Sequence, residues 1–196
     1  MRRYTRRLFA SSMVALIVGF STTTSAFAQG PGPTATETIR MKLARIYDVE
    51  RNSSAETAAI DSTVGHSYLS EKCLEALPGL TSSERVEFKQ LLVDVVRVML
   101  RKQISRILAT EVKWGLETID GHEVTVASVV KQDSNNLDVD WILVMDGSDW
   151  RLVDIVTENA SMIRTWRRSF KLIYEKGGWK ALSKKLHKVG MGDKSR

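Results

Sequence analysis

The chain has 196 residues, 43% apolar and 27% charged, the balance of one globular domain with a tail rather than of a disordered chain. A single cysteine, Cys73, excludes a disulfide scaffold and any zinc site built on cysteine pairs. The net charge of +6 suggests a nucleic-acid partner only until its distribution along the chain is read.

Arg2, Arg3, Arg6 and Arg7 open the chain, and no acid occurs in residues 1–28. An apolar run from Leu8 to Phe20 follows, then small residues ending in Ala26-Phe27-Ala28. This is the pattern of a secretory signal peptide, with cleavage expected before Gln29 and a flexible leader at 29–36. Thr5-Arg6-Arg7-Leu8-Phe9 also fits a twin-arginine signal loosely, so export by the Sec or the twin-arginine route is expected. Without the signal, 25 basic residues face 23 acidic ones. They are unevenly placed: residues 162–196 carry +9 and residues 29–161 carry −7. Such a split points to a membrane surface or a protein partner for the C-terminal segment, or to a solvated face that balances the acidic body. No nucleic-acid partner is expected.

The body starts with a helix over Thr36–Val49, a small-residue segment at Asn52–Ile60 read as a loop entering a short helix, and a modest helix over Val64–Leu77 stopped by Pro78-Gly79. Thr81-Ser82-Ser83-Glu84 matches a capping box. Behind it Phe88, Leu91, Leu92, Val95, Val96, Met99, Ile104, Ile107 and Leu108 recur at helical steps. A helix apolar over so much of its surface must be covered on two sides or face a ligand cavity.

The period then drops to two. Val112, Trp114, Leu116 and Thr118 alternate up to the Asp120-Gly121 turn, and Val124–Val130 gives a second strand. Asp133–Asn136 turns the chain into a third strand, with Val139, Trp141, Leu143 and Met145 on one face. Asp146–Asp149 turns it again into Trp150–Thr157. Ile142, Val144, Val153 and Ile155 fall on the opposite faces, predicting a sheet covered on much of both sides. Ser161 caps a helix over Met162–Lys176, and after Gly177-Gly178 a second covers Trp179–Lys188. The fold class is α+β: a four-stranded antiparallel meander packed with several helices.

Motifs for chemistry are missing. His66, His122 and His187 lie apart without ligand spacing, and no nucleophile elbow or phosphate loop occurs. Asp138 and Asp140 share a strand face but read as a solvated strand end. No catalytic residue and no metal is expected. Surplus apolar surface around one helix and one sheet remains, fitting either a closed core or a cavity for a hydrophobic ligand.

Trp150-Arg151-Leu152-Val153-Asp154-Ile155-Val156, then Glu158-Asn159-Ala160-Ser161-Met162-Ile163, then Trp166 to Phe170 resemble the C-terminal pattern of the MlaC family. That family, also called toluene-tolerance or auxiliary-transport proteins, comprises periplasmic phospholipid carriers. Gly177-Gly178, Leu182 and Leu186 match its closing segment. Thr81–Leu92 is similar to its T-x-x-Q/E-R-x-x-F stretch, and Val139, Trp141 and Leu143 to its V-x-Y/F-x-L strand. Asn159-Ala160 stands where Gly-Val is usual, and Val153 where Tyr is common.

The resemblance implies a monomeric periplasmic carrier domain over 37–190, followed by a tail at 191–196. It implies no cofactor, with a bound phospholipid as cargo. The implied partners are the substrate-binding component of an inner-membrane ABC transporter and an outer-membrane lipoprotein–porin complex. Acyl-chain contacts are expected from Phe88, Leu92, Val95, Val96 and Met99 on the long helix. The sheet would contribute Val126, Val139, Trp141, Leu143 and Ile155, and the next helix Met162, Ile163, Trp166 and Phe170. A carrier of another hydrophobic ligand, such as a hopanoid, or a ketosteroid-isomerase-like enzyme using Asp154, are the alternatives.

Overall fold

Helix α1, Ala35–Asp48, begins inside the expected leader, because Thr34 and Glu37 form a capping box. The Thr34 hydroxyl accepts from Glu37 N at 3.2 Å, and the Glu37 carboxylate accepts from Thr34 N at 2.9 Å. The structure is a computed structural model that describes residues 33–108, 111–132 and 135–192. The export signal, most of the leader and the end of the tail lie outside the described residues. Ile39, Leu43 and Ile46 put one face of α1 into the core.

Helix α2, Ser54–Thr63, is capped by Ser53, and helix α3, His66–Leu74, follows across Val64-Gly65. Helix α4, Ser82–Leu108, is about 40 Å long at ~1.5 Å per residue. Its capping box forms as the sequence predicts, with Thr81 N donating to Glu84 at 2.8 Å.

Strands β1 (Val112–Asp120), β2 (Glu123–Gln132), β3 (Asn135–Asp146) and β4 (Asp149–Thr157) form the expected antiparallel meander. A fifth strand corrects the count: β5, Ala160–Ser161, pairs with β4 across a turn in which Glu158 and Asn159 both take positive φ. Two consecutive residues of positive φ make a hairpin turn of the primed kind, which folds the chain back on itself.

Two register shifts also depart from the period-two reading. Between Trp114 and Glu117 the β1–β2 register slips, so Leu116 leaves the alternation and is 84% exposed. A second shift opposite Ile142/Leu143 sets Ile155 against Trp141 rather than on the opposite face. Cover on the outer face is only partial. Val144 and Val153 are buried, but Lys113, Gly115, Ala127, Val129, Asp138 and Asp140 line an open cleft of about 320 Å³. On the side of β4 away from β3, Val64 makes a parallel bridge to Leu152, and Gly65 N donates to Leu152 O at 2.9 Å. Val153 Cγ1 would stand only 2.9 Å from a Cβ at Gly65, so the approach requires glycine there.

The last helix, α5, spans Met162–Gly190 with a break at Gly177 and Gly178. Gly178 has φ 63° and ψ −164°, a conformation open essentially to glycine alone. The two helices read from the sequence are thus the two halves of α5, separated at the glycine pair as expected. Among the described residues no helix is long and apolar enough to cross a membrane.

Candidate functional site

Strand alternation places Val124, Val126, Ser128 and Val130 of β2 on the inner face, opposite Leu143, Trp141, Val139 and Leu137 of β3. Helix α1 packs against β1, β2 and β4 and helix α5 against β4, while the end of α4 reaches the sheet where Ile107 lies beside Leu137 and Thr157. The fourteen residues singled out in the sequence all join one apolar cluster, ten fully within it and Met99, Met162, Ile163 and Trp166 at its margin. Three ring contacts mark its grain. Phe88 of α4 meets Phe170 of α5 edge-on with centroids 5.7 Å apart, and Trp166 lies 6.2 Å from Phe170. On the sheet, Trp114 and Trp141 stand 5.9 Å apart.

The layer is closed: Phe88, Val126, Val139, Trp141 and Leu143 are each 0% exposed. The polar groups of Trp141 and Ser128 are satisfied within the sheet, since Trp141 Nε1 donates to Ser128 Oγ at 2.9 Å and Ser128 Oγ donates to Val139 O at 2.9 Å. At one end, Gln103, Arg106 and Ile107 of α4 with Leu137 and Thr157 of the sheet line a cleft of about 150 Å³. There an apolar floor meets a polar rim.

The opposite flank of α4 is polar and was not legible in the sequence. Arg97 forms a fork to Asp61, through Nε at 2.9 Å and Nη2 at 2.6 Å, and reaches Asp94 at 3.0 Å. Arg101 Nε donates to Glu56 at 2.7 Å, and that carboxylate, almost fully buried, also accepts from Asn52 N at 2.7 Å. His66 Nε2 lies 3.3 Å from Asp61. The Arg97 hydrogen bond holds the Asp61 carboxyl below its ordinary range, whereas burial lowers the pKa of His66. Lys42 ties α1 to the β3–β4 hairpin by donating to Ser62 O, Asp149 and Trp150 O at 2.7–2.9 Å. Partners such as Arg97 and Asp61, 36 residues apart, or Lys42 and Asp149, 107 apart, give no local signal, so only the fold could reveal them.

Asp154, the residue an isomerase-like site would need, is committed to the backbone. It accepts from Ile155 N at 2.9 Å, Ile163 N at 3.0 Å and Ser161 Oγ at 2.5 Å. Ser161 in turn caps α5 by accepting from Arg164 N at 3.0 Å. Asp138 is exposed and Asp140 half-buried on the outer cleft. Cys73 is fully buried, and burial pushes its thiol up to about 12, which leaves it inert. Among the described residues no group of acids, histidines and cysteines could hold a metal ion.

This arrangement of apolar sheet face, long helix and bent helix is shared with known proteins. The family model described as "MlaC protein" matches residues 58–188. A solved structure of a phospholipid-binding protein from Ralstonia solanacearum, in complex with a phospholipid, superposes with a TM-score of 0.64 at 12% identity. The match covers 81% of this chain and 98% of that one. No curated protein sequence matches the chain.

Proposed function

This chain belongs to the MlaC family, and we propose that it is a periplasmic phospholipid carrier, exported by residues 1–28. It passes lipid between the substrate-binding component of an inner-membrane ABC transporter and an outer-membrane lipoprotein–porin complex, and so maintains outer-membrane lipid asymmetry. The observation that supports this reading is the continuous apolar cluster in which α4, α5 and the inner sheet face meet, to which α1, α2 and α3 also contribute.

The physics of cargo fits that layer. Holding one acyl chain of about fifteen methylenes in water costs roughly 12 kcal/mol at ~0.8 kcal/mol per methylene. A carrier must replace the bilayer with apolar side chains, and Val95, Val96, Met99, Trp141, Leu143, Ile155 and Phe170 supply them. The 150 Å³ cleft is too small for such a lipid, so loading separates the helices from the sheet. The headgroup stays at the polar rim beside Gln103 and Arg106. Transfer needs no covalent step, only different affinities at each docking partner. With its carboxylate engaged in three hydrogen bonds, Asp154 offers little support for the isomerase alternative.

Tryptophan quenching by a phospholipid brominated on its acyl chains tests the placement. The purified chain should lose fluorescence on loading, and the Trp141→Phe variant should lose markedly less. Equal quenching in both proteins would move the cargo elsewhere; no quenching by any lipid would end the carrier reading.

A further inference from the structure

The two halves of α5 are held in different ways. The first, residues 162–176, is fastened by polar bonds: Ile163 N donates to Asp154 at 3.0 Å, and Arg167 pairs with Glu75 at 3.1 Å. The second, residues 179–190, has no such fastening. Among the described residues no hydrogen bond or ion pair joins it to another element, and the bond from Ser183 to Lys180 O stays within the helix. It is held by apolar area instead. Leu182 and Leu186 are fully buried in the apolar cluster, with Trp179 and Val189 at its margin. Its end lies on α4, where a Cβ at Gly190 would stand 3.5 Å from Val95 N, next to a side chain expected to contact the cargo. Between the halves, Gly177 and Gly178 both leave helical geometry, and a backbone without side chains turns most freely.

We propose that residues 179–190 are a lid on the apolar layer, swinging on Gly177-Gly178 to admit a phospholipid acyl chain between α4 and α5. Opening the lid strands no charge and no donor, whereas moving the first half would strand Asp154 and Glu75. Apolar contacts have no direction, so a methylene chain can take them over as the lid leaves. Lys180, Lys184, Lys185 and Lys188 are exposed with the lid closed and stay in water when it opens. The break itself requires glycine. A Cβ on Gly177 would stand 2.6 Å from Ala181 Cβ, and Gly178 has φ 63°. A few small residues that absorb a large change of φ and ψ let a packed element part without unfolding. The lid rests on the carrier reading, since the cargo it admits is that reading's lipid.

The test is a reversible lock on the chain from Gln29 onward, which contains the compact unit Pro33–Arg196. A Cβ at Gly190 would stand 3.0 Å from Asp94 Cβ. A small shift reaches the ~3.5–4.5 Å of a disulfide, so D94C/G190C can be closed with diamide and opened with dithiothreitol. Cys73 is fully buried and does not compete. Lipid-free protein is mixed with vesicles of acyl-brominated phosphatidylcholine, and uptake is followed by tryptophan quenching. The oxidised variant should load at least about tenfold more slowly than the reduced one, which should match the wild type. A second variant, Leu186→Ala, weakens the closed lid and should load about tenfold faster per folded molecule, with folding checked by cooperative melting. Where the reduced double variant is itself slow, L186A alone decides. Oxidised protein that loads as fast as reduced, or an L186A no faster than wild type, would overturn the lid and leave the carrier standing. A wild-type chain that takes up no lipid would remove the carrier reading and the lid with it.

Discussion

Helix α4 meets α2 and α3 through Arg97, Arg101 and Lys89, each in an ion pair, and meets α5 through Phe88 against Phe170. On the flank toward α2 and α3, Ile60, Leu69 and Cys73 join the apolar cluster, but the ion pairs have a direction and a fixed partner, so displacement strands a charge or a donor. On its apolar flank the attraction is non-directional and proportional to area, and an acyl chain can replace it methylene for methylene. One helix thus divides the molecule into a frame that keeps its geometry and a seam that can part around a cargo.

Substitutions can break that division from either side. The largest effect is expected from Phe88→Ala, which removes a fully buried ring at the seam and should cost about 4 kcal/mol, read by chemical denaturation of the lipid-free protein. Added phospholipid should restore part of the loss, because ligand bound to the folded state raises its stability. No recovery would mean that the cavity does not belong to the cargo site.

Arg101→Ala comes next. It leaves Glu56 buried without its cation and should cost about 3 kcal/mol. Lipid occupancy of the folded fraction should be unchanged, since the frame holds no cargo; a lost occupancy would show that the two flanks are coupled.

The smallest expected effect is on pH dependence. Asp61 and His66 both have folded pKa values below their ordinary ones of 3.8 and 6.5. Protons therefore bind the unfolded chain first. Stability should fall as the pH drops below about 6.5 through the lowered histidine value, and again below 3.8 through the lowered carboxyl value. At this partly exposed site the change should stay under about 1 kcal/mol. His66→Gln should remove the upper part of the slope in thermal melts across pH 5–7, and an unchanged slope would relieve His66 of the role.

Local signals in the sequence carried far, and their limits are physical. The Thr81–Glu84 capping box and the 3.6-residue stripe behind it specify α4 directly, and alternation puts Val139, Trp141 and Leu143 on one face. The same box rule applied to Thr34-Ala35-Thr36-Glu37 would have found the start of α1. Bulges obey no such rule. One extra residue in β4 was enough to turn Ile155 toward Trp141, and the slip in β1 put Leu116 outside. The ion pairs of the frame join residues far apart in sequence, which periodicity cannot express. The candidate site residues were legible as a greasy surplus; that they close into a seam without an open cavity depends on how the layers pack.

Native mass spectrometry of the chain from Gln29 onward, purified without detergent and paired with lipid extraction, tests the carrier reading most directly. A near-stoichiometric adduct of phospholipid mass is the predicted result. A clean apo mass in protein that melts cooperatively, persisting after incubation with phospholipid vesicles, would contradict it and leave the apolar layer as a closed core.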